Sequence, residues 1–142
     1  MKTTIIGLSL LALGGFVPSI LCARSNDPCE SRGSNLEMRE CYTNEQRRVN
    51  AEADSLVKKI AADFRKEAQD PTDGQAAIAI KKAATAVLRS QIAWRAYRDQ
   101  HCRTVELSWT TGSGAGTAYE QCMFELGKER LHDLQGFLQP AP

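Results

Sequence analysis

Four cysteines at positions 29, 41, 102 and 122 follow an apolar N-terminal run, and this combination constrains the chain more than any other feature. Met1 and Lys2 form a short positive start, Ile5 to Val17 is uninterruptedly apolar apart from small residues, and Pro18 and Ser19 end the run. That is the layout of a secretory signal peptide, with a cleavage point after Leu21-Cys22-Ala23. Residues 1–23 are therefore expected to be removed, leaving residues 24–142 as a single periplasmic or secreted domain. Two alternatives stay open: an uncleaved anchor, and a lipoprotein modified at Cys22. After cleavage no membrane insertion is expected. An even cysteine count in an exported chain reads as two disulfides. Three connectivities are possible. Local pairing is favoured, because Cys102 and Cys122 flank a glycine-rich turn, which leaves Cys29 with Cys41.

Three segments carry helical periodicity, and no useful stretch alternates with period two. Leu36, Cys41, Val49, Ala53, Leu56, Ile60 and Phe64 trace one face of a first helix, with a restart suggested near residue 42 by Thr43 and Gln46 as a capping box. Asp70-Pro71-Thr72-Asp73-Gly74 stops it. A second helix is predicted from about Gln75 to Arg103, with Ile80, Ala84, Val87, Leu88, Trp94 and Tyr97 on its apolar side. A loop from Trp109 to Thr117 follows, then a third helix from about Ala118 to Phe137 carrying Tyr119, Cys122, Met123, Leu126 and Leu134. The tail from Gln139 should fray. The expected fold is all-α: an antiparallel bundle or hairpin of about three helices, closed by two disulfides.

The charge balance is close to neutral, 18 Lys and Arg against 17 Asp and Glu, and one of the cations is Lys2 of the leader. Such a chain has no general field for phosphate backbones or anionic membranes, and nucleic acid is not an expected partner. No cofactor is implied. His101, Cys102, Cys122 and His132 are ligand types for zinc, but they lack a close ligand pair on the third helix, and export favours disulfides. No Gly-x-Ser-x-Gly elbow is present, Glu125 and Glu129 read as a solvated face, and glycines 112, 114 and 116 lack the lysine of a phosphate loop. An enzyme is not expected.

The densest block is Gln91 to Cys102. At helical spacing Gln91, Trp94, Arg98 and His101 share one side, where polar groups could gather round the indole; the plainer reading is that Trp94 and Tyr97 fill the core while Arg95 and Asp99 make exposed pairs. Arg130 lies on a stripe with Leu126, Leu134 and Phe137, which places a guanidinium against apolar surroundings and calls for a carboxylate, with Asp99 and Asp54 as candidates.

The order Cys29, Met38-Arg39-Glu40-Cys41, Gln91-x-x-Trp94-x-x-Tyr97-Arg98-Asp99-x-x-Cys102, Cys122 and Arg130 resembles the lysozyme-inhibitor LprI-like N-terminal domain family, over most of the chain from Cys29 to Leu134. The resemblance implies a small, exported, helical, disulfide-bridged domain that binds and inhibits a lysozyme or another cell-wall hydrolase. It marks Met38, Gln91, Trp94, Tyr97, Arg98, Asp99 and Arg130 as the shared positions. Where the family typically shows Asp-x-x-Leu-Asn, this chain has Asn50-Ala51-Glu52-Ala53-Asp54, with the two polar types exchanged. Trp109, Thr110, Thr111, Ser113, Thr117 and Tyr119, on a loop tethered by a Cys102 to Cys122 bridge, are the candidate contact residues, because a tethered loop loses less entropy on binding. Common lysozymes are strongly cationic, so an inhibitor gains encounter rate from concentrated acid; in a neutral chain that acid would have to be local. The competing expectations are a structural, stress-related or immunity-type envelope protein with another partner, and a small-molecule binder.

Overall fold

A computed structural model describes residues 27–69, 74–110 and 112–138. The expected signal peptide with Cys22, the expected stop at Asp70 to Asp73, Thr111 and the tail from Gln139 lie outside them. Three helices account for most of the described chain: α1 Asn35–Glu67, α2 Gly74–Ser108 and α3 Ala115–Gly136. The bridges are Cys29 to Cys41 and Cys102 to Cys122. The expected all-α bundle with local disulfides is what the chain forms. Cross-helix contacts give its direction, since Asn50 meets Arg98 while Asp54 meets Gln91, so α1 and α2 run antiparallel. Thr117 at the start of α3 meets Asn35 at the start of α1, so those two run parallel.

Helix α1 is continuous through residue 42, which corrects the predicted restart. Its cap is Ser34, whose hydroxyl accepts from the Glu37 amide at 3.2 Å and donates to the Glu37 carboxylate at 3.0 Å. The Thr43 hydroxyl instead donates back to the Arg39 carbonyl one turn earlier, which a mid-helix threonine can do without ending the helix. Helix α2 runs five residues beyond the predicted Arg103, and α3 begins three residues early, so the connection shrinks to 109–114.

The interior has two apolar parts. Near the disulfides, Cys29, Tyr42, Val49 and Phe124 pack together with Met38. Towards the α1–α2 turn, Ala53, Val57, Ile60, Ala61, Val87 and Leu134 form the second part, flanked by Leu56, Phe64 and Leu88. Helix α3 lies tight against α1 at Gly127, where a Cβ would be 3.2 Å from Val49 Cγ1; a larger side chain there would push the helices apart. Three expected core residues face solvent instead: Leu36 is 66% exposed, Tyr97 57% and Phe137 59%. The buried seam of α2 passes through Ala77, Ala84, Val87, Gln91, Arg98 and Cys102, leaving Tyr97 just outside it, where its ring stacks on His101 at 5.5 Å.

Candidate functional site: a polar layer and a tethered acidic end

Between the two apolar parts lies a layer of polar side chains from all three helices. Arg98 is its centre, buried on α2. Its Nη1 donates to Asn50 Oδ1 at 2.6 Å, and Nε and Nη2 both donate to Asp99 Oδ1 at 2.9 and 2.6 Å. The Trp94 ring centre lies 4.9 Å from the Arg98 guanidinium carbon and 6.0 Å from that of Arg130. Gln91, also buried, donates to Asp54 Oδ1 at 3.0 Å and accepts from Arg130 Nε at 3.0 Å. Every buried side-chain polar atom among the described residues has a partner, as a polar layer in an apolar core requires.

Arg98 therefore does sit against the indole and Gln91 is tied to it through Arg130, while His101 is exposed beside Tyr97. Arg130 departs from expectation. Its partners are Gln91 and the Ser90 hydroxyl, the latter at 2.9 Å, and not Asp99 or Asp54. Asp99 is taken by Arg98, and Asp54 by Gln91 and by a close ion pair with Arg95. Asn50, singled out only within a departure from the family pattern, and Asp54, which also stood as a candidate partner for Arg130, prove to be layer members. The amide at 50 both accepts from Arg98 and donates to Gln46 Oε1 at 2.9 Å, which a carboxylate could not do. The layer reads as a device that fixes the register of the three helices, the use for which buried polar groups are best attested.

The disulfide end carries the candidate contact segment. Trp109 and Thr110 close α2 in a turn, with Thr110 at φ 52°, a left-handed conformation that a β-branched residue rarely takes. Backbone bonds then run from Gly112 to Trp109 and from Ala115 to Gly112, so the turn is held by its own main chain. The Trp109 ring lies over Gly114, where a Cβ would come within 2.9 Å of Cζ3; only glycine fits beneath it. Trp109, Thr110 and Ser113 face solvent, whereas Tyr119 is half-buried and the Thr117 hydroxyl is engaged with the Asn35 carbonyl at 3.0 Å. Asn35, Met38, Trp109, Ser113, Thr117 and Gln121 line one shallow groove between the turn and the start of α1. Leu36 and Leu107 are further exposed side chains at this end. The steps of three to five residues that link Leu36 to the core stripe drift round the helix: Leu36 lies about 140° from Val49, on the side of Arg39, Thr43 and Arg47.

Charge divides at the polar layer. On the disulfide side, between residues 27 and 52 and between 99 and 125, ten Asp and Glu stand against five Lys and Arg. On the other side, among the described residues between 53 and 98 and between 126 and 138, the count is eleven Lys and Arg to five Asp and Glu. The near-neutral total conceals a molecule with one acidic and one basic end. Among the described residues no group of three His, Cys, Asp or Glu is placed to hold a metal, and Cys102 and Cys122 are bonded to each other.

Fold and site together define a small disulfide-tied helical domain with a structured, aromatic-bearing turn at its acidic end. The chain belongs to a known family: the family model Lysozyme inhibitor LprI matches residues 25–134. No curated protein and no solved structure matches the chain.

Proposed function

We propose that the protein is an exported, non-enzymatic inhibitor of lysozyme-type peptidoglycan hydrolases, acting by occupying the cleft of its target. Family membership over residues 25–134 carries this reading, and the charge division indicates which end does the work. The acidic end suits a cationic enzyme, because complementary charge raises the encounter rate and orients the approach. Trp109, Thr110 and Ser113 are the part of the turn free to enter a cleft, with Leu36 and Leu107 beside them. The turn is already ordered by its main-chain bonds and by the Cys102 to Cys122 bridge, so little freedom is lost on binding.

The test is peptidoglycan hydrolysis by goose-, chicken- and invertebrate-type lysozymes, titrated with oxidised protein from Arg24 onward. Stoichiometric inhibition of one class is expected, weakening as salt is raised. Trp109→Ala should weaken it at least tenfold, as loss of a central aromatic contact usually does. If no class is inhibited, the reading fails.

A further inference from the structure

We propose that the basic end is a second interaction surface, with which the protein lies on an anionic phospholipid membrane. The observation is on α2, whose first twenty-five residues, Gly74 to Arg98, contain five cations and no acid. Arg95 and Arg98 are consumed by the polar layer. Lys81, Lys82 and Arg89 are exposed and make no ion pair among the described residues. On a helix wheel these three fall within about 60° of Ile78, as does Ile92. Ile78 is 50% exposed and Ile92 70%. Between and beside them the side chains are small, Thr85, Ala86 and Ala93, so nothing bulky interrupts the strip. It faces away from the buried seam of Ala77, Ala84, Val87 and Gln91.

This pattern fits a lipid surface better than a folded acidic protein. Ile78 and Ile92 are about 21 Å apart along a straight helix, and between them Lys81, Lys82 and Arg89 rim an open hollow with Ile78, Thr85 and Ala86, a shape that admits headgroups beside the aliphatic side chains. Cations at the level of phosphates, with aliphatic side chains dipping between headgroups, are the way a surface-lying helix holds to a bilayer. No helix among the described residues is long and apolar enough to cross one.

The experiment is co-sedimentation of the oxidised protein from Arg24 with vesicles of phosphatidylglycerol and, separately, of phosphatidylcholine. Both disulfides and both apolar clusters lie within residues 27–138, so this form keeps the whole described bundle. Binding to the anionic vesicles only, lost between low and high salt, is expected. The triple variant K81E/K82E/R89E should bind about 100-fold more weakly, and I78S/I92S several-fold more weakly at unchanged charge. All five positions are exposed, and circular dichroism should show both variants folded. Failure of the parent to bind phosphatidylglycerol at low salt would overturn the proposal, as would equal binding by the triple variant. Soluble polyphosphate competing fully, with I78S/I92S binding like the parent, would mean that the strip reads charge on a soluble polymer, and the lipid assignment would fall. Lysozyme inhibition by the same variants is a separate readout and should stay at the parent level.

Discussion

The disulfide end and the turn end of the bundle share three helices but are held in different ways. At the disulfide end both bridges, the Ser34 cap, the Thr117 to Asn35 bond and the Tyr42 to Asp27 bond stitch the chain around a small core of Tyr42, Val49, Cys29 and Phe124. Towards the other end the cluster of Val57, Ile60, Val87 and Leu134 does the holding, with ion pairs at the surface only. Exposure does not explain the contrast, since both ends show apolar side chains to solvent: Leu36, Leu107 and Trp109 at one, Ile78, Phe137 and Leu138 at the other. The difference lies in the core beneath them, four buried residues at the disulfide end against six at the other, so the smaller core is the one that cross-links supplement.

The sharpest way to break this comparison is to remove the bridge that tethers the candidate turn. Replacing Cys102 and Cys122 together by serine should cost about 3 kcal/mol in the chain-entropy model. If the ends are held separately, amide exchange should quicken around Leu107 to Tyr119 and change little at Val57 to Ala61. Uniform loss of protection would show one cooperative unit, and the distinction between ends would then concern charge alone.

Arg98 stands where the ends meet, so its loss should weaken both. Arg98→Ala leaves Asn50 without its donor and opens a gap beside Trp94, for an expected cost of about 2 to 3 kcal/mol in urea unfolding. A double-mutant cycle with Asn50→Ala should show coupling of about 1 kcal/mol or more; additive effects would mean that the 2.6 Å bond contributes nothing particular. Arg130 belongs to the same layer but has only neutral partners and a partly solvated side chain. Arg130→Met should therefore cost no more than about 1 kcal/mol, because no carboxylate is left unpaired and the apolar stem is replaced in kind. A loss as large as that of Arg98 would contradict the unequal roles assigned to the two arginines.

Much of this arrangement was legible from residue spacing. The three helices, the disulfide pairing and the meeting of Gln91, Trp94 and Arg98 follow from periodicity and from where glycine and proline fall. The errors share a cause. Leu36 and Tyr97 fit a loose spacing of three to five residues but lie to one side of the buried seams, and Phe137 sits at the end of α3, so spacing alone does not say where the covered strip of a helix begins or stops. The partner of Arg130 was misassigned for a related reason: Asp54 and Asp99 were suitable, but Arg95 and Arg98 on the intervening helix reach them first. The two-ended charge distribution was hidden because acids and bases alternate along α1 and α3, and only folding sorts them about the layer.

The smallest effect concerns pH and again separates the ends. Tyr42 donates to Asp27 Oδ2 at 2.5 Å, and burial first, then that bond and the Asp27 charge, push its pKa well above the ordinary phenol value. Tyr119 is raised in the same direction, by burial and by the charge of Asp99. Both lie at the disulfide end. In the unfolded chain each phenol loses its proton near pH 10, whereas the native state keeps it. The unfolded state therefore binds fewer protons above that pH, and stability must fall as pH rises. The contribution is complete below about pH 10 and is lost progressively as pH climbs toward the folded values. Tyr42→Phe should cost about 1 kcal/mol at pH 7 for the missing hydrogen bond, yet flatten the decline in melting temperature between pH 9.5 and 11. A parallel decline in parent and variant would assign the alkaline loss to other groups. In the parent, exchange at the disulfide end should respond to alkali before exchange at Ala84 to Leu88, since the turn end holds neither of these two phenols.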